Sequence, residues 1–100
     1  MENTCIKLND NYTLNIDGFS RNTSVQDGKL VSNAYVTLKN PQTADIETLR
    51  GLALYPITKL ELDYNETAIY SLSELTAKIT SIDESLTDEG KMRCAFYIYF

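Results

Sequence analysis

The sequence predicts an α+β fold that is mostly antiparallel β, with about seven strands in a sandwich-like arrangement and one short helix near residues 43–50. Three observations carry that prediction. Most apolar runs alternate with period two, the spacing of a strand with one covered face. Between them stand Asn9-Asp10-Asn11, Asp27-Gly28 and Asn65-Glu66, residue types that tolerate the left-handed backbone of tight hairpin turns. Only after Asn40-Pro41 does the spacing change to three and four.

The elements follow in order. Cys5–Leu8 and Tyr12–Ile16 read as two strands of an opening hairpin, closed by Asp17-Gly18, with a polar loop over 20–24. Residues 29–39 form the clearest strand of the first half: Leu30, Ser32, Ala34, Val36 and Leu38 share one face, and Val31, Asn33, Tyr35 and Thr37 the other. The helix spans Thr43–Arg50, with Asp45 and Glu47 early, Arg50 late, and Gly51-Leu52 placed for a left-handed C-cap. Two turns of helix are too few to stand alone, so packing on a sheet is implied. After Pro56, Thr58, Leu60, Leu62 and Tyr64 alternate with Lys59, Glu61 and Asp63, and the chain turns at Asn65-Glu66 into a strand over 67–72.

Residues 71–87 carry two competing patterns. Leu72, Leu75, Ile79, Ile82 and Leu86 fall at heptad spacing behind a Ser71/Glu74 capping-box pair, which suits an amphipathic helix. Against it, residues 75–80 alternate strictly, β-branched residues are frequent, and Asp83-Glu84 would oppose the dipole at a helix C-terminus. Strand is the reading adopted, with an irregular turn at Ser73-Glu74 and a loop over 83–90. The final strand, 91–100, places Met92, Cys94, Phe96, Ile98 and Phe100 on one face and Arg93, Ala95, Tyr97 and Tyr99 on the other, so both faces read as apolar and covered.

One hundred residues, 43% hydrophobic, suit a single domain over 1–100 with a real core. The first residues hold neither a basic n-region nor an apolar h-region, so secretion by a signal peptide is not expected, and no run is long enough to predict a membrane span. Histidine is absent, which removes the usual base of Ser and Cys nucleophiles and the commonest zinc nitrogen ligand. The four glycines form no phosphate-cradling motif. Cys5 and Cys94 lack CxxC spacing and read as two small buried hydrophobes, with a disulfide between terminal strands as the alternative. Asp83, Glu84, Asp88 and Glu89 invite a paired-carboxylate reading in an exposed turn that offers no apolar cleft, and Asp83, Ser85, Thr87 and Glu89 a Ca²⁺ reading whose spacing lacks the EF-hand glycine and distal glutamate. No catalysis, cofactor or metal is therefore expected.

Residues 60–90 hold eight acids against Lys78 alone, whereas 1–59 balance. Such a segment repels phosphate, so nucleic acid is not an expected partner. Seven tyrosines and no tryptophan are more suggestive. A tyrosine ring packs on a sheet while its hydroxyl meets water or a partner, which makes Tyr97, Tyr99, Tyr64 and Tyr70, with Phe100, the candidate interface residues. Most of the tyrosines are expected to line the rim of the domain's own core.

The short helix TADIETLRG, the run ITKLELDYNETAIYSLSELTAKITSIDESL and the closing aromatic strand together resemble small structural or accessory proteins of tailed phages and prophages, over roughly residues 43–100. The resemblance implies a noncatalytic protein of the virion or host cytoplasm that joins a protein partner, a like copy or a virion neighbour, by sheet-mediated assembly. The alternative is an acidic phage-encoded inhibitor that occupies a basic groove of a host protein and binds with steep salt dependence.

Overall fold

A computed structural model describes residues 3–100. The elements are β1 (Thr4–Leu8), β2 (Tyr12–Gln26), β3 (Lys29–Leu38), α1 (Thr43–Leu52), β4 (Leu60–Tyr64), β5 (Thr67–Leu72), β6 (Lys78–Leu86) and β7 (Met92–Tyr99). All seven strands join one antiparallel sheet in the order β5-β4-β1-β2-β3-β7-β6. The α+β, mostly antiparallel expectation holds, but the architecture is a single open sheet and a helix, not two stacked sheets.

Positive φ at the expected turn residues explains three hairpins. Asn9 and Asp10 (56° and 60°), Asp27 and Gly28 (52° and 77°), and Asn65 and Glu66 (49° and 68°) supply the left-handed backbone that matches strand twist. Asn9 does more than turn the chain. Its Oδ1 accepts from the Thr58 backbone N–H at 2.7 Å and its Nδ2 donates to the Pro56 carbonyl at 3.1 Å, fastening the β1–β2 turn to the approach to β4.

Topology forces the sheet to curl. Chain segment 73–77 joins β5 to β6, the two outermost strands. In a flat seven-stranded sheet those strands would lie about 29 Å apart. The six residue steps from Leu72 to Lys78 reach at most about 22 Å. The sheet must therefore bend until its edges approach, and the observed pairing shows that it does. Ile57 and Ala77 exchange backbone hydrogen bonds at 2.7 and 3.1 Å, and the Leu75 N–H donates to the Thr58 carbonyl at 2.9 Å. Across the other end, the Arg21 Nη1 of β2 donates to the Tyr70 Oη of β5 at 2.9 Å.

The inner face of this curl is the core. Ile6, Leu8, Leu14, Ile16, Ala34, Val36, Leu38, Leu60, Leu62, Ile79, Cys94, Phe96 and Ile98 meet Ile46, Leu49 and Leu52 of α1 in one cluster. The helix is tied down electrostatically as well, with Arg50 Nη2 donating to Glu84 Oε2 of β6 at 2.9 Å. A capping box at its start, with Asp45 accepting from the Gln42 N–H at 2.9 Å, satisfies first-turn donors.

Several expectations are corrected, and most corrections have one cause. β2 is continuous from Tyr12 to Gln26, so Asp17-Gly18 does not close a hairpin and 20–24 is not a loop. Asp17 is an extra residue between the pairs Ile16/Leu38 and Gly18/Thr37. That bulge shifts the inward phase from Ile16 to Phe19, a spacing of three that breaks simple alternation. β6 is a strand, as adopted, and runs on to Leu86 rather than yielding to a loop at Asp83. An extra residue at Thr80 places both Ile79 and Ile82 on the core side, which accounts for the helix-like spacing there. The helix extends to Leu52 with Ala53 as a right-handed C-cap, so Gly51 lies within it. Finally, β7 is covered along one face, where Cys94, Phe96 and Ile98 are buried, whereas on the other face Ala95 is buried but Tyr97 and Tyr99 are about two-fifths exposed.

Candidate interaction surface

The outer face of β3, β7 and β6 gathers the most distinctive side chains. Antiparallel register sets Tyr35 of β3 opposite Tyr97 of β7, and Asn33 opposite Tyr99. The Tyr35 and Tyr97 rings lie 4.8 Å apart, tilted by 47°, a favourable aromatic pair. Tyr35, Tyr97 and Tyr99 keep 38%, 40% and 42% of their surface in solvent. Beyond them Thr37 pairs with Ala95, whose small side chain leaves a shallow floor. A groove of about 480 Å³ opens there between Tyr35, Thr37, Asp83, Ser85, Arg93 and Asp17. A second hollow of about 430 Å³, lined by Pro41, Asp88 and Met92 among others, shares Asp17 and Arg93 with the first.

The five interface candidates do not form one site. Tyr97 and Tyr99 lie together on this outer face. Tyr64 lies at the far end of β4, opposite Thr4 and Thr67. Tyr70 is half-buried on the inner side, 6.0 Å from the Phe19 ring, with its hydroxyl bonded to Arg21. Phe100 is also half-buried against the core, with the Arg21 guanidinium 4.5 Å above its ring. Arg21 Nε further donates to Ser32 Oγ at 2.7 Å, so Tyr70, Arg21, Phe100 and Ser32 form a plug at the open end of the curl. Tyr35 was the missed member of the outer group. Its outward phase in β3 was readable, but its meeting with Tyr97, 62 residues away, depends on strand order.

The acidic residues are dispersed and partly neutralised. Lys7 Nζ sits 3.1 Å from Asp63 Oδ2 and 3.6 Å from Glu61 Oε2 on the outer face of β1 and β4. The neighbouring Asp63 carboxyl, with which a protonated Glu61 can hydrogen-bond, raises the Glu61 carboxyl above its ordinary value, with burial adding to the effect. Glu61 in that role, followed by the Lys7 ammonium, holds Asp63 below its ordinary value against the opposing effect of burial. Glu84 is engaged by Arg50 from the inner side, while Asp83 faces the outer groove, so the anticipated cluster at 83–89 is split across the sheet. Among the described residues no three His, Cys, Asp or Glu side chains converge to hold a metal ion.

Both cysteines are free thiols. Cys94 is in the core, where burial first and the Glu84 charge second push its thiol up. Cys5 departs from the buried expectation: it is half-buried on the outer side of β1, and its Sγ donates to Asn15 Oδ1 at 3.2 Å. Among the described residues no helix is long and apolar enough to cross a membrane. No protein-family model matches this chain, and no curated protein matches it by sequence.

Proposed function

We propose that the protein is a noncatalytic assembly module whose outer β3–β7–β6 face binds a neighbouring protein surface, a like copy or another virion component. The carrying observation is the solvent-facing Tyr35–Tyr97–Tyr99 group beside a shallow groove. Paired tyrosines on a rigid sheet offer large amphipathic area with little rotamer freedom left to lose, which suits a contact surface. A phage or prophage origin is part of the proposal and rests on the resemblance of residues 43–100. The acidic-inhibitor alternative draws less support, because Glu61, Asp63, Glu84 and Glu89 each have a cation of the same chain within 4 Å.

Light scattering across the micromolar range tests the proposal, comparing the natural protein with a Tyr35→Ser, Tyr97→Ser, Tyr99→Ser variant. The expected result is an associated natural protein and a smaller variant of unchanged fold. Identical masses for the two proteins would remove the tyrosine face from the account.

A further inference from the structure

The strand order leaves β5 and β6 outermost, and they are not alike. β6 carries Lys78, Asp83 and Glu84, has an extra residue at Thr80, and its approach is already paired with Ile57 and Thr58. Charges, bulges and covering segments are the devices by which natural edges avoid further pairing. β5, Thr-Ala-Ile-Tyr-Ser-Leu, carries no charge and no proline. Every one of its six residues is exposed or half-buried, and Ile69, thrown outward by a bulge opposite β4, is 61% exposed. Its inner residues Tyr70 and Leu72 are only half-buried, so the apolar layer stops short at this edge.

We propose that the β5 edge is a strand-pairing surface that takes β5 of a second copy, antiparallel, about a two-fold axis through Ser71. An unpaired edge presents backbone N–H and C=O groups that only another extended chain satisfies in series. A second copy supplies a segment that is itself uncharged, apolar and unpaired on that side, so no like charges meet within it. Side-chain phase selects the register. With Ser71 opposite Ser71 of the second copy, each Tyr70 lies opposite a Leu72, so the pair is Tyr70–Leu72 of each copy with inner residues beside inner residues, and Ile69 borders it opposite Ser73. Setting Tyr70 opposite Tyr70 instead would bring outward Ala68 against inward Leu72, because the bulge at Ile69 changes the phase. The contact is isologous, and it leaves the outer tyrosine face free. The inference rests on the assembly reading but uses a different surface.

Ser71 is exposed and sits at the axis, so it meets only itself. The test therefore compares Ser71→Lys and Ser71→Glu in the background that already lacks Tyr35, Tyr97 and Tyr99, with circular dichroism confirming the fold. That background is expected to be a dimer by sedimentation at micromolar concentrations. Either charge should raise the dimer dissociation constant about fivefold, from the upper end of the cross-strand range. Equimolar mixing of the Lys and Glu proteins should restore association. Ile69→Lys serves as a second edge variant should Ser71→Glu fold poorly beside Glu61, and it too should weaken the dimer. A monomeric background protein, indifference to all three charges, or failure of the mixture to recover would overturn the inference. If edge charges leave the natural protein's mass unchanged while the tyrosine substitutions reduce it, the edge inference fails and the face reading stands. If neither set changes the mass, both fail.

Discussion

Strand β7 provides a sharp test of how the two sheet faces differ, because adjacent residues fall on opposite sides. Phe96 is 0% exposed and is the largest of the fully buried side chains, packed among Val36, Ile98 and the helix residues of the core. Truncating it to alanine removes a buried ring and leaves a cavity that α1 and the flanking strands cannot close, and should destabilise by about 3–5 kcal/mol. For a domain of this length that corresponds to a fall in Tm of at least about 12 °C. Tyr97, one residue on, is 40% exposed. Tyr97→Ser gives up part of one cross-strand aromatic pair and some strand propensity, about 1 kcal/mol. Urea unfolding followed by circular dichroism, at concentrations low enough to avoid association, gives both values. Comparable losses for the two substitutions would refute the unequal burial of the two faces of β7, as would a Phe96→Ala loss below about 1 kcal/mol.

Other outcomes follow from named contacts. Arg21→Ala breaks the bonds to Ser32 and Tyr70 and the stacking on Phe100, and should lower stability by about 1–2 kcal/mol, read as a lower urea midpoint. A thiol reagent should label Cys5 in the native protein and Cys94 only after unfolding; rapid native labelling of both would contradict the burial of Cys94. The Glu61–Asp63 pair makes a signed pH prediction. Asp63, held low, favours the folded state above the ordinary carboxylate range, and this contribution is lost as pH falls. Glu61, held high, favours the folded state at low pH, and this contribution is lost as pH rises through its raised value. The two slopes oppose each other, so Glu61→Gln should make stability climb more steeply with pH across the acidic range. Parallel curves for the two proteins would count against the coupling.

What the sequence hid was mostly phase and order. The alternation of β3 and β7, the turn pairs Asp27-Gly28 and Asn65-Glu66, and the acid-first, base-last helix near 43–50 all read correctly, because each is a local consequence of backbone geometry. Bulges at Asp17 and Thr80 defeat a period count, since one extra residue turns inward spacing from two to three and makes a strand look like a loop or a helix. Tyr97 and Tyr99 share a face of β7 that the sequence reads as covered but the structure leaves in solvent, and Tyr35 joins them only through the β3–β7 pairing. Tyr70 and Phe100 meet for the same reason: the curl that brings β5 toward β2 gathers both around Arg21. Strand order carries no local signature, so the site it assembles could not be read from spacing alone.

The most direct test of the tyrosine face as a contact surface is the mass of the natural protein against that of the Tyr35→Ser, Tyr97→Ser, Tyr99→Ser variant, measured by sedimentation equilibrium over the micromolar range with urea midpoints in parallel. The account predicts a larger associated species for the natural protein, and a smaller one for a variant that remains cooperatively folded. Equal masses for the two folded proteins would contradict it.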